Sequence, residues 1–308
     1  MSKKYFLGIL TYFKNERSSI YEWILHYKKW GIDHIWLIDN GSQDDYNIEE
    51  FINDGFVTIY KEPNLSQQDA YNKYVITIKN DVTWLGVFDM DEFLYSKEKE
   101  NLKDVMSDVN EGIKMVSIQM TVFLPSTFES KESIIETNIL RRCFDSNKHP
   151  KCLFNLNLVN KISIHGYDSY KKLHLTANET LLCINHYRYS SFEYLYGIKE
   201  GRGGGVHKNK YKSSKHNILI NSLNDSFLPN DTYLRDKSYD IIELCKKKIS
   251  KPKIELYPNS SWIYLKNNHK DFYDKFNNYN KVLNIEQIYE INLYLNQIGK
   301  KIFKNKYK

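Results

Sequence analysis

Four consecutive residues, Asp89-Met90-Asp91-Glu92, set three carboxylates side by side directly after the apolar run 84–88. Crowded carboxylates repel one another, and a cation held among them relieves that repulsion. Hard divalent ions such as Mg²⁺ and Mn²⁺ take oxygen ligands, and Mg²⁺ commonly binds one or two carboxylates while substrate phosphates complete its shell. The cluster therefore suits the holding of a divalent ion against a diphosphate. Asp-x-Asp alone is common on solvated surfaces; the position at the end of an apolar strand is what separates this one. A second carboxylate, Asp39, opens the turn Asp39-Asn40-Gly41-Ser42 behind another apolar run, 34–38. Asn-Gly supplies the positive φ angles of a turn. Asp39 fixed there could also accept a hydrogen bond from a base N–H or a ribose hydroxyl.

To act together, these carboxylates need strands that end on one edge of a sheet. The pattern predicts a strand over 5–11, a polar loop at Lys14-Asn15-Glu16-Arg17, and a helix opened by the capping-box spacing of Ser19 and Glu22. Ile20, Trp23, Ile24, Tyr27 and Trp30 recur at helical spacing, and Gly31 stands where a C-terminal cap is wanted. Further strands are predicted over 34–38, 57–60 and 84–88, with a short helix over 48–53 and a longer one from a Ser66 cap to about 79. Strands and helices alternating at this interval predict an α/β fold with a mostly parallel central sheet flanked by helices, since parallel strands need crossovers. In such sheets ligands bind at the carboxyl ends of the strands, where 11–16, 39–42 and 89–92 all fall. A strand is expected over 115–124, a flexible loop at 201–205, and a terminal helix over 285–303 with Ile285, Ile288, Leu295, Ile298 and Ile302 near one face. The expected division is a main domain over 1–240 and a C-terminal, mainly helical extension over 241–308.

Composition narrows the classes. The chain has 308 residues, 41% hydrophobic and 27% charged, with only 6 Pro and 13 Gly, which is the make-up of a folded globular protein. Its early apolar run is too short for a signal h-region or a membrane span, so a cytoplasmic, unprocessed chain is expected. Cys143, Cys152, Cys183 and Cys245 show no C-x-x-C spacing and are expected as free thiols. The net charge of +6 fits a phosphate-bearing substrate or an anionic membrane as well as nucleic acid, but no nucleic-acid-binding motif accompanies it. The tail, with Lys300, Lys301, Lys304, Lys306 and Lys308, reads as the frayed end of a packed helix or as a reversible contact with an anionic membrane face.

An ordered series of motifs now resembles a known family. Lys14-Asn15-Glu16, then Tyr21-Glu22-Trp23-Ile24-Leu25-His26-Tyr27, Gly31-Ile32-Asp33-His34, Ile38-Asp39-Asn40-Gly41-Ser42 and Phe88-Asp89-Met90-Asp91-Glu92-Phe93 resemble glycosyltransferase family 92 and the related family-2-like group. Ile164-His165-Gly166 and Asn185-His186-Tyr187-Arg188-Tyr189-Ser190-Ser191 are similar to the same pattern, although Ser190-Ser191 stands where the family often shows Lys-Ser. The resemblance covers about residues 5–240. It implies a GT-A fold, a nucleotide-sugar donor of the UDP-sugar kind, and Mn²⁺ or Mg²⁺. It implies that Asp89, Asp91 and His186 form the metal site, Asp91 the more direct ligand, and that Thr11, Asn15, Glu16, Asp39 and Asp89 line the nucleotide pocket. The acceptor implied is a saccharide or lipid-linked glycan in surface polysaccharide assembly, with galactose the first choice of sugar.

Chemistry adds further candidates. Negative charge grows on the diphosphate as the glycosidic bond breaks, so a cation there lowers the barrier. Arg188, Lys199 and Arg202 are either supplementary contacts to the diphosphate or ordinary surface charges, and the glycine-rich loop around Arg202 suits a lid. An inverting transfer also needs a carboxylate as general base; Glu92, Asp168, Glu193 and Asp231 are the candidates. Two rival functions stay open. One is a metal-dependent nucleotidyltransferase, whose usual glycine-rich phosphate loop is absent after the first strand. The other is a non-catalytic carbohydrate-binding relative.

Overall fold

The computed structural model describes residues 3–142, 146–166, 174–176, 181–199, 227–228, 231–249, 260–277 and 282–306. Two compact units emerge: Met1–Val122 with Phe144–His186, and Phe123–Cys143 with Tyr187–Lys308. The division expected near 240 falls inside the second unit, within the helix Tyr239–Lys248.

The first unit runs β1 (Tyr5–Phe13), α1 (Ile20–Lys29), β2 (His34–Asp39), α2 (Glu49–Asn53), β3 (Val57–Lys61), α3 (Gln67–Ile78) and β4 (Val82–Val87). It continues through β5 (Glu92–Ser96), α4 (Leu102–Ser107), β6 (Met115–Val122), β7 (Ser146–Asn155), β8 (His174–Thr176) and β9 (Leu182–His186). One sheet holds all of these strands in the order β3-β2-β1-β4-β7-β6-β9-β5, with β8 beside β6. The first four strands of that order are parallel. Beyond β4 the sheet is mixed: β7 runs antiparallel to β4 and β6, and β5 antiparallel to β9.

The parallel half forms because its strands are apolar on both faces. Every residue of β2 is buried, as is nearly every residue of β4, the pattern of strands covered by helices on either side. On one face α3 packs Tyr71, Val75 and Ile78 against Leu10, Ile38, Leu85 and Phe154. A side chain at Gly86 would meet Phe88 Cε2 at 2.3 Å, so glycine is required where this ring crosses β4. Gly31, with φ +83°, ends α1 in the left-handed region, as its position predicts. The capping box does not form. Ser19 makes no side-chain bond to the helix amides; its hydroxyl donates to Glu16 O (3.2 Å) and Oε2 (3.1 Å) instead, while Glu22 is fully buried.

The second unit contains α5 (Ile134–Thr137), a π-helical turn (Tyr194–Lys199), α6 (Tyr233–Lys237), α7 (Tyr239–Lys248), α8 (Ser261–Asn268), α9 (Lys270–Asn277) and α10 (Ile285–Lys306). Its core joins Phe128, Phe192, Tyr196, Trp262 and Leu265 to Ile288, Ile291, Leu295 and Ile298 of α10. Ile285, expected on the packed face, is 39% exposed. Ile288, Ile291, Asn292, Leu295 and Ile298 are the buried residues described on α10, and Ile285, its first residue, stands at the helix end before that stripe begins; the side chain of Ile302 lies outside the described residues. Among the described residues no helix is long and apolar enough to cross a membrane. Cys152 and Cys245 are buried free thiols and Cys183 is half-buried, with Cys143 outside the described residues.

Candidate metal and nucleotide site

Sheet register builds the acidic corner. β4 ends at Val87, a tight turn follows in which Glu92 N–H donates to Asp89 O (3.0 Å), and β5 starts at Glu92. The β5–β9 pairing sets His186 directly opposite Glu92. The β4–β7 pairing of Val87 with Cys152 brings Lys151 to the end of β4. Three residues from earlier elements hold the turn's carbonyls. Trp23 Nε1 donates to Asp89 O (3.1 Å) and Glu92 O (2.9 Å). Tyr27 hydroxyl donates to Glu92 O (2.9 Å) and accepts from Leu94 N–H (3.0 Å), and Thr11 hydroxyl donates to Phe88 O.

Within the corner the side chains divide into two groups. Asp89 Oδ1 accepts from Gln67 Nε2 (3.0 Å) and Asp89 Oδ2 from Lys151 Nζ (2.8 Å). Lys151 Nζ also lies 3.1 Å from Glu92 Oε2, which accepts from Asp89 N–H (2.9 Å). Asp91 Oδ1 is 3.5 Å from His186 Nε2. One ligand atom from each of Asp91, Glu92 and His186 fits within a 4.8 Å span. Two carboxylate oxygens and an imidazole nitrogen are a donor set that Mn²⁺ and similar divalent ions accept. The residues fit a cation, with Glu92 standing in that cluster where the motifs suggested Asp89.

The electrostatics follow from burial and proximity. Burial raises the Asp89 carboxyl, but Lys151, aided by His186, outweighs it and the opposing Asp91, and Asp89 is held below its ordinary range. Glu92 is displaced upward, first by burial and then by Asp89 and Asp91, with Lys151 pulling against them. Lys151 is only 1% exposed; burial disfavours its charge, yet Asp89, Glu92 and Tyr71 together hold it protonated, above the usual lysine range. Glu92 is 1% exposed, and its Oε2 already faces Lys151 Nζ and the Asp89 N–H, contacts that give it a positioning role in the corner.

The neighbouring strand ends are stapled to each other. Asn15, at φ 53°, donates its N–H to the Ser42 hydroxyl (3.0 Å) and accepts from Gln43 N–H at its Oδ1 (2.8 Å). Glu16 is bound by Ser19, and Arg17 N–H donates to Asp44 (2.8 Å). Asp39 accepts from Ser42 N–H (2.7 Å), Tyr46 hydroxyl (2.8 Å) and Lys61 (2.6 Å). Burial raises the Asp39 carboxyl, but these three donors outweigh it and hold it below its ordinary value. The structure thus brings Thr11, Asn15, Glu16, Asp39, Asp89, Asp91, Glu92 and His186 together in the first unit.

The remaining candidates belong to the second unit or fall outside the described residues. Lys199 donates to Arg188 O (2.5 Å), Glu193 accepts from Ser130 N–H (3.1 Å), and Asp231 pairs with Arg141 (3.1 Å). Asp168, Arg202 and the loop 201–205 lie outside the described residues. Sequence reasoning missed Lys151 and Gln67. The signal was present for Lys151: a lysine heading the apolar run Cys152-Leu153-Phe154 needs a buried partner, and a carboxylate is the natural one.

The description of glycosyltransferase family 92 matches residues 8–231. The chain belongs to that family. It is 25% identical over 205 residues to a glycosyltransferase family 92 protein of Ricinus communis, covering 62% of this chain and 37% of that one. A family 92 protein of Oryza sativa subsp. japonica is 24% identical over 204 residues, covering 62% and 34%. The chain thus spans little more than a third of the length of the curated relatives it matches. Among solved structures it is similar to S. aureus TarS 1-349 in complex with UDP-GlcNAc, at TM-score 0.34 and 16% identity over 50% of this chain and 46% of that one. It is also similar to glucosyl-3-phosphoglycerate synthase from Mycobacterium tuberculosis in complex with Mn²⁺, UDP and glucosyl-3-phosphoglycerate, at TM-score 0.36 and 13% identity over 56% and 69%. The family 92 chain has an α/β fold whose sheet is parallel over β3-β2-β1-β4, as its alternating strands and helices predicted, and mixed beyond.

Proposed function

We propose that this family 92 chain is a metal-dependent glycosyltransferase that moves a hexose, galactose first among them, from a UDP-sugar to a saccharide or lipid-linked glycan acceptor during surface polysaccharide assembly, with inversion at the sugar carbon. The observation that carries the reading is the meeting of Asp91, Glu92 and His186 within 4.8 Å at the carboxyl end of β4, beside the loops after β1 and β2. UDP bound to TarS, and UDP with Mn²⁺ bound to the mycobacterial synthase, agree with the donor and ion proposed here but belong to those proteins.

Asp91 and His186, with Glu92 beside them, would hold Mn²⁺ or Mg²⁺, which when bound supplies positive charge to a departing diphosphate. The protein's own part is preorganisation. Trp23, Tyr27 and Thr11 fix the turn's backbone so that Asp91 needs no rearrangement. Asp89 keeps its carboxylate ionised and turned outward, 40% exposed. Asn15 and Ser42 lock the two loops that would border the nucleotide.

Incubation with a panel of nucleotide-sugars and Mn²⁺ tests the reading, with slow donor hydrolysis as the signal. Release of UDP from one donor supports it. Pyrophosphate formed from a nucleoside triphosphate and a sugar phosphate, or stabilisation by glycans without any metal-dependent nucleotide effect, would replace it.

A further inference from the structure

We propose that α10 carries a membrane-docking face, in which the exposed stripe Ile285, Tyr289 and Leu293 acts with the lysines that follow it in sequence to lie on an anionic lipid surface. This role depends on neither the cation site nor the proposed transfer.

α10 bears two sets of large apolar side chains. Ile288, Ile291, Leu295 and Ile298 are packed into the core of the second unit. Ile285, Tyr289 and Leu293 recur at every fourth residue on another side of the helix and are 39%, 45% and 41% exposed. A helix that only packs on a core needs one apolar stripe and gives its other face to polar residues. Single exposed apolar side chains are ordinary, but a spaced row along one helix makes a continuous patch, which marks a surface for a partner. Val282, three residues before the helix, adds to it at 39% exposure.

Charge decides what covers the stripe. Its helical period, continued seven and eleven residues beyond Leu293, falls on Lys300 and Lys304, and Lys301, Lys306 and Lys308 accompany them. No Asp or Glu follows Glu290 in the sequence to offset these charges, and Glu290 is itself paired with Lys275 at 2.6 Å. Glu286 stands in the first turn, at the far end from the lysines. A second copy of the chain would bring the same positive charge to the contact, whereas anionic headgroups complement it. Ile and Leu suit the acyl boundary, and Tyr suits the headgroup level, where its ring is apolar and its hydroxyl wet. Apolar insertion and a basic cluster together anchor a protein where either alone binds only marginally. α10 is not apolar enough to cross a bilayer, so the contact runs along the surface.

Flotation of the full chain with phosphatidylcholine vesicles, with and without phosphatidylglycerol, tests this role. Wild type is expected to float with the anionic vesicles and not with the neutral ones, the bound fraction falling as salt is raised. Tyr289→Asp combined with Leu293→Asp should weaken anionic binding about tenfold or more. Thermal unfolding of that pair should match wild type, because both side chains already face solvent. Lys300→Gln and Lys304→Gln should each weaken binding by up to about fivefold, and they test the role without touching the described stripe. Equal binding of wild type to both kinds of vesicle, or binding to neither, overturns the inference. Unchanged affinity in the aspartate pair overturns it too, since the lysines alone would then carry the adsorption. So does self-association of wild type that the aspartate pair abolishes without any vesicle binding, which would give the face to a second copy.

Discussion

Two strand ends of one sheet each set an aspartate against a lysine, and they do so in opposite ways. After β4 the lysine is hidden and the aspartate open: Lys151 is 1% exposed and Asp89 40%. After β2 the aspartate is hidden and the lysine open: Asp39 is 1% exposed and Lys61 67%. The hidden partner is the one committed to the fold. Asp39 gives its oxygens to Ser42 N–H, Tyr46 and Lys61, so its charge closes the turn. Asp89 gives up part of its capacity and keeps the rest facing solvent. One ion pair is spent on structure; the other holds a carboxylate ready for a visitor.

Removing the buried cation should have the largest effect. Lys151→Met strands Asp89 and Glu92 without their counter-charge, and loss of one partner of a buried pair costs about 3–5 kcal/mol. Thermal unfolding of the variant should show it, and a loss no greater than that of Lys61→Ala would erase the contrast. Lys151→Met combined with Glu92→Gln should recover part of the loss, because one buried charge goes with the other.

Asp39→Asn comes next. Hydrogen bonds to a charged group contribute about 1.5–3 kcal/mol each before compensation, so urea unfolding near pH 7 should show a loss in that range, concentrated in the loops after β1 and β2. The same variant tests pH dependence. The folded carboxyl of Asp39 is held below its ordinary value, so its stabilisation is fully present above the unfolded pKa of about 4 and disappears as pH falls through the lowered folded value. Wild type should therefore lose stability on that acid limb, and Asp39→Asn should lose less across the same window. An identical acid limb in the two proteins would remove Asp39 from the account. Lys61→Ala is the smallest change: an ion pair whose lysine is 67% exposed is worth at most about 1 kcal/mol, and raised salt should shrink the difference further.

The legible part of the molecule follows from the same contrast between local and distant causes. β1 to β4 and their crossover helices could be read because each is set by its own apolar pattern, and the strand ends had to collect on one edge. Beyond β4 the strand expected over 115–124 is found as β6, but β7 could not be read, since it begins Ser146-Asn147-Lys148 and finds its place through antiparallel pairing with β4 and β6. Asp91 and His186 were named from motifs, but their nearness is a product of register between β5 and β9. Lys151 was passed over because a lysine ordinarily marks solvent; the apolar run behind it signals burial, and the tertiary structure identifies Asp89 and Glu92 as the carboxylates that meet it. Ser19 failed as a cap for a similar reason: Glu16, itself buried, captured its hydroxyl.

The indole of Trp23 clasps the carbonyls of Asp89 and Glu92, on either side of Asp91, and is itself wholly shielded from water. Occupancy of the corner is thereby wired to a fluorophore that the chain carries already. A paramagnetic ion arriving there should dim its emission, whereas a diamagnetic one should leave the intensity largely intact, so the filling of the site can be followed by light with no label attached.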